Sequence, residues 1–154
     1  MKVSTLCFYV RGRNILLGMA KGGASMGKWN GYGGKVNYGE SVKAAAVREI
    51  KEESALMVNE KDLRQVAFVR FYFENVLRFE CHVFFAKTWR GEPRETKEMR
   101  SHRWFQTSEL PKRMWLGDKK WLPLILQKRV IRAAVHYNED GSKLKKFKCK
   151  SAVF

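Results

Sequence analysis

Residues Gly34 to Leu56 read GKVNYGESVKAAAVREIKEESAL, and this stretch decides how the rest of the chain is read. Ser41 is a suitable N-cap for a helix reaching about Ser54, and the run between them is rich in helix formers and free of proline. At about 100° per residue, such a helix sets Glu49 and Glu53 within roughly 20° of Val42. Glu49, Glu52 and Glu53 are thus expected on the side of Val42, Ala45, Ala46, Ile50 and Leu56, with Lys43, Ala44, Val47 and Lys51 opposite. Carboxylates facing protein rather than water must be paired, protonated or metal-bound, and like charges at i and i+4 repel. A divalent cation meets both demands. The competing reading is a solvated acidic stretch in which Arg48 forms an ordinary helix salt bridge with Glu52.

Upstream, Val3 to Val10 and Ile15 to Met19 have strand character and are separated by a turn at Arg11 to Asn14. Gly22, Gly23, Ser25 and Gly27 form a loop leading into Trp29-Asn30-Gly31-Tyr32-Gly33-Gly34, where dense glycine either lets backbone approach a ligand or serves as a plain connector. Downstream, Gln65 to Phe73 and Phe79 to Trp89 read as two strands of a hairpin linked by Glu74 to Arg78, and Arg103 to Gln106 as a shorter strand. Ser108 is a candidate cap for one helical turn, and Asp118 for a helix through Trp121, Leu124, Ile125 and Lys128, with Pro123 in its early turns. Arg132 to Tyr137 and Lys143 to Phe154 flank a hairpin turn at Asn138-Glu139-Asp140-Gly141. Strands outnumber two helices in a mixed order.

The 154 residues, 45% of them hydrophobic, suit one domain spanning 1–154 with a core of its own. A net charge of +16 favours anionic partners, phosphorylated ones above all. Cys7, Cys81 and Cys149 are odd in number and lack metal-site spacing, which points to a reducing, cytoplasmic home. No segment has the roughly 18 to 20 apolar residues of a membrane span. Lys143 to Lys150 alternates basic and apolar residues, which fits a strand with either a solvated basic edge or an RNA-contacting one, although it lacks regular aromatic interleaving.

The opening stretch resembles the Nudix box: a glycine, five residues, a glutamate, seven residues, then R-E-apolar-x-E-E. Gly34, Glu40, Arg48, Glu49, Ile50, Glu52, Glu53 and Leu56 match it, while Ala55 stands where the family has glycine. The likeness extends through Ile15 to Met19, Gly27 to Val36, Glu98-Met99-Arg100, Trp104-Phe105-Gln106, Met114-Trp115 and Trp121 to Lys128, and is similar to the mammalian-type MutT-homologue branch of that family. It implies an α/β/α sandwich with a mixed central sheet. It also implies Mg²⁺, with Mn²⁺ as an alternative, held by Glu49, Glu52, Glu53, the Gly34 carbonyl and Glu98. In that comparison Glu52 and Glu53 carry most of the chemistry, Arg48 orients the carboxylates, and Glu40 ties the loop to the helix. Glu98 is otherwise a loop glutamate in a charged run.

The implied activity is hydrolysis of oxidised purine nucleoside triphosphates such as 8-oxo-dGTP to monophosphate and pyrophosphate, by a monomer. The implied base pocket contains Thr5, Asn30, Phe71, Phe73, Trp115 and Asp118. Aromatic rings can sandwich a purine while Asn30 and Asp118 read its edge, although Phe71 and Phe73 alternate as core residues also do. Leu116-Gly117-Asp118 carries one acid where the branch has two, and Ala20 and Ala24 replace a lysine and a phenylalanine expected beside the pocket. Two other functions fit the same motifs: a Nudix hydrolase of capped RNA or dinucleoside polyphosphates, and a non-catalytic nucleotide- or RNA-binding module.

Overall fold

The computed structural model describes residues Met1–Phe154. In chain order its elements are β1 (Lys2–Arg11), β2 (Asn14–Ala20), β3 (Trp29–Asn30), α1 (Val42–Ser54), β4 (Leu63–Phe73), β5 (Val76–Ala86), β6 (Met99–Gln106), α2 (Asp118–Leu126), β7 (Ile131–Tyr137) and β8 (Leu144–Ser151). The strands form one eight-stranded sheet in the order β3-β2-β1-β5-β4-β7-β8, with β6 on β2. The β1/β5 and β4/β7 pairs are parallel and the others antiparallel, so the sheet is mixed.

Period-two alternation divides the core in two. Phe8, Ile15 and Leu17 join the cluster that holds Trp121, Leu122 and Ile125 of α2. Their neighbours Cys7, Tyr9 and Leu16 join the cluster that holds Ala46 and Ile50 of α1. One helix therefore covers each face, which gives the α/β/α sandwich. Ile50 and Trp121 are fully buried, and burying side chains of this kind contributes about 2–3 kcal/mol each.

Helix α1 begins as its sequence dictates, with Ser41 Oγ accepting from Ala44 N at 3.1 Å. It ends at Ala55, which adopts the left-handed conformation (φ 65°) where glycine would be unstrained. The next residue, Leu56, is fully buried in the cluster beneath α1.

Five local expectations are corrected. The β4–β5 connection is the two-residue turn Glu74-Asn75, both at positive φ (45° and 64°), so Val76 to Arg78 extend β5, which stops at Ala86 rather than Trp89. Strand β6 starts at Met99, four residues before the expected Arg103, because pairing with β2 stabilises a polar segment that lacks strand-like alternation. Ser108 caps no helix; Glu109 N bonds Gln106 O in a simple turn. Gly117 is the cap of α2, and Asp118 is its first helical residue, with its side chain turned inward. The helix ends at Leu126 and does not reach Lys128, which is itself at φ 66°.

Candidate active site

Burial of Ala45, Ala46 and Ile50 turns one side of α1 toward the sheet and carries Glu53 with it, 8% exposed. Glu53 Oε1 accepts from Gly33 N at 2.6 Å. Burial is the main influence on its carboxyl and pushes it up to about 9, against the Gly33 bond and with help from Glu98 and Glu49. Glu49 is also raised by burial, although Arg48 opposes the shift. Carboxylate oxygens of Glu49, Glu53 and Glu98 lie within 4.8 Å of one another. The loop bearing Glu98 is strapped to the end of α1 by Thr96, whose Oγ1 donates to Glu53 O at 2.9 Å and accepts from Met99 N at 3.1 Å. Thr96 was not legible in the sequence, since its role depends on two segments that meet only in the fold.

Arg48 organises the outer side. Its Nε and Nη2 donate to the two Glu40 oxygens at 2.8 and 2.9 Å, its Nη1 to Glu49 Oε1 at 2.7 Å, and its Nη2 also to Lys35 O at 3.0 Å. Glu40 thus ties the loop to the helix as expected. Glu52 departs from the expected shared face: it is exposed, stands outside the triad, and meets only Arg48 Nη1 at 3.4 Å. At 100° per residue it falls about 80° from Val42, far enough for the helix to turn it to the rim.

Gly33 and Gly34 are required by proximity. A Cβ on Gly34 would sit 2.5 Å from Glu49 Cδ, and one on Gly33 only 1.8 Å from Thr5 O. The Gly34 carbonyl accepts from Thr5 N at 2.9 Å, which anchors the loop to β1 and leaves a second lone pair.

A cavity of about 650 Å³ opens beside the acids, and Thr5, Asn30, Phe71, Phe73, Trp115 and Asp118 all line it. Phe71 and Phe73 are half-buried cavity walls that also pack against the α2-side core. Trp115 is fixed by Nε1 donating to Ser25 Oγ at 2.9 Å, with Lys28 Nζ 4.8 Å from its ring centroid. Asn30 Oδ1 accepts from Gly31 N at 2.8 Å, which leaves its amide nitrogen free to donate. The sequence reading missed Tyr137, whose ring lies 5.2 Å from Phe73 and 5.4 Å from Trp115. Ala24 lines the cavity, whereas Ala20 lines an adjoining one of about 430 Å³ that contains Glu53 and Glu98. Asn30 and Gly33 border both spaces, so the aromatic chamber adjoins the space that holds Glu53 and Glu98.

The NUDIX domain profile matches residues 1–125. The chain belongs to the NUDIX family. It is 42% identical over 130 residues to the oxidized purine nucleoside triphosphate hydrolase of Danio rerio, covering 83% of this chain and 81% of that one. With the Mus musculus protein of the same name it shares 39% over the same span. Among solved structures, a mutator MutT protein from Bacillus halodurans superposes with a TM-score of 0.82 over 97% of both chains at 23% identity, a likeness of fold.

As a Nudix hydrolase, the chain belongs to a group of enzymes that generally use divalent metals. Its own geometry fits such an ion. Three carboxylates converge from a helix and a loop, two of them held toward protonation by burial, and oxygen donors of this kind suit a hard dication. Gly34, flush against Glu49, leaves no room for a side chain that would fill the space.

Proposed function

We propose that the protein is a Mg²⁺-dependent nucleoside triphosphate pyrophosphohydrolase of nucleotide-pool sanitation. Its substrates are oxidised purine triphosphates such as 8-oxo-dGTP, converted with water to the monophosphate and pyrophosphate. The observation that carries this reading is the pair of adjoining cavities that share Asn30 and Gly33, one lined by Glu53 and Glu98 of the carboxylate triad and the other an aromatic chamber bearing Asn30 and Asp118. A purine in the chamber lays its phosphates past Asn30 and Gly33 toward the acids. The names of the zebrafish and mouse relatives support the same substrate class.

In this reading Glu49, Glu53 and Glu98, with the Gly34 carbonyl, would hold the ion, which would supply neutralisation of triphosphate charge and acidification of a water. Arg48 fixes Glu49 and keeps Glu52 at the rim. Glu52, the box carboxylate outside the triad, is free to accept the water's proton. Phe71, Phe73 and Trp115 enclose the base, Thr5 holds the Gly34 loop, and the Asn30 amide donates to the purine edge. We further place the enzyme in the cytoplasm as a single-domain monomer, a setting that suits its buried free thiols Cys7 and Cys81.

A product-resolved assay with normal and oxidised purine triphosphates and Mg²⁺ tests this. Monophosphate and pyrophosphate should form, fastest from an oxidised base. Glu53→Gln should lose both turnover and metal affinity, while Glu52→Gln should lose turnover with metal affinity nearly unchanged. A second substrate class, capped RNA or a dinucleoside polyphosphate, is favoured by Lys2, Lys35 and Arg78 around the chamber. Faster hydrolysis of capped RNA than of any free triphosphate would replace the sanitation reading with this one.

A further inference from the structure

The α1 side of the sheet is covered unevenly. Helix α1 packs against β1 and β6, and the other half of that face, on β4, β7 and β8, carries side chains that no helix covers. Strand register defines them: Arg132 pairs with Lys150, Ala134 with Lys148 and His136 with Lys146. On the other side of β7, Phe68 pairs with Arg132 and Tyr72 with His136. Arg132 and the three lysines are exposed, while Phe68, Tyr72 and His136 beside them are half-buried.

Arg132, Lys146, Lys148 and Lys150 make no salt bridge. Glu80, the acid on the adjoining strand, is occupied by Arg70 at 2.8 Å. Lys146 is held below its ordinary range by neighbouring Lys148, and both lysines add to the burial that lowers His136. The aromatic rings are ordered: Tyr72 and His136 stack with centroids 4.4 Å apart and planes 6° from parallel. The Arg132 guanidinium lies 5.3 Å from the Phe68 centroid. A row of lysines on alternate residues of one strand presents an ammonium about every 6.6 Å, a pitch at which an extended sugar-phosphate chain can offer one phosphate after another. The interleaving of aromatics and cations that β8 lacks along its own sequence is supplied across strands.

We propose that this open half of the sheet binds single-stranded nucleic acid, its phosphates on Arg132, Lys146, Lys148 and Lys150 and a base continuing the Tyr72–His136 stack. The site is separate from the cleft and does not depend on the reaction proposed for it. A second copy of this chain would bring like charges together, whereas an anionic membrane surface would engage the lysines but not the ring stack.

The test is fluorescence anisotropy with labelled oligo(U) and oligo(dT) across a salt series, using the full chain. Four phosphate contacts predict a slope of log affinity against log salt of about −3. Lys146→Ala/Lys148→Ala/Lys150→Ala should reduce the slope to about −0.7. Tyr72→Ala should weaken oligonucleotide binding about 10-fold without changing the slope. Lys43→Ala/Lys51→Ala/Lys61→Ala removes equal charge from elsewhere on the surface and should leave affinity within about twofold. The proposal is overturned if the two triple variants behave alike. It is equally overturned if phosphatidylserine vesicles bind the wild type and Tyr72→Ala equally well while oligonucleotides bind neither.

Discussion

Replacing Asp118 by Asn should remove a pH-dependent weakness from the fold. Asp118 is 3% exposed, and the hydrogen bond it makes is Oδ1 accepting from Trp121 Nε1 at 3.1 Å. Burial outweighs that bond and pushes the carboxyl from an ordinary 3.8 up to about 7. Between those two values the folded chain holds more protons than the unfolded chain, so stability falls as pH rises through the window. The contribution is fully present below the lower value and lost above the upper one. A shift of about three pK units corresponds to about 4 kcal/mol, of which about 3 kcal/mol is lost between about pH 5 and pH 8. Asn keeps an acceptor for Trp121 and cannot ionise. Urea unfolding of both proteins across this range should therefore show the advantage of Asp118→Asn growing by about 3 kcal/mol. Other titrating groups, Glu53 included, are common to the two proteins and cancel in the difference. A difference that stays flat with pH would refute burial of this carboxylate as the cause.

Gly34→Ala should weaken divalent-ion binding about 10-fold or more by calorimetry, because its Cβ would fall 2.6 Å from the Glu49 oxygens and force that carboxylate off Arg48. Because Glu53 is held protonated up to about 9, an ion that requires the carboxylate should displace a proton at neutral pH. Titrations in buffers of different ionisation enthalpy should show close to one proton released near neutrality and none well above that value. Ala55→Gly should raise stability by about 1 kcal/mol in thermal melts by relieving the left-handed φ of 65°, with turnover unchanged.

The helix bearing the acids was legible because everything that defines it is local. Ser41 caps it, the apolar residues set its buried side, and the box motif fixes which carboxylates it carries. The same local reading misplaced Glu52, because an angle of about 80° on the helix separates a wall residue from a rim residue and only packing against β1 decides between them. Strand β6 was cut short for a related reason. Met99 and Arg100 gain their strand character from pairing with Ala20 and Met19 of β2 across a bulge, which a pattern of polar side chains does not announce. The six chamber residues came from resemblance, and the fold brings all of them to one cavity. Thr96 and Tyr137 escaped because each acts through a contact between segments more than twenty residues apart or at the chamber's far wall.

The missing acid before Asp118 has a physical counterpart in β7. A Cβ on Gly117 would lie 2.4 Å from Val135 Cγ1 and 2.6 Å from the Tyr137 hydroxyl, so no side chain fits there while Tyr137 keeps its place. The Tyr137 oxygen accepts from Gly117 N at 2.8 Å, which holds the ring against the chamber wall beside Phe73 and Trp115. Gly117 and Tyr137 are therefore one structural unit, and an aspartate introduced at 117 alone would displace the tyrosine instead of restoring a second base-reading acid. Asn30 and Asp118 remain among the polar residues that line the chamber. In the proposed reading, Asp118, pushed up to about 7 by burial, would donate to a purine edge when protonated and accept from it when ionised, which predicts that base preference measured on a purine triphosphate panel changes across neutral pH.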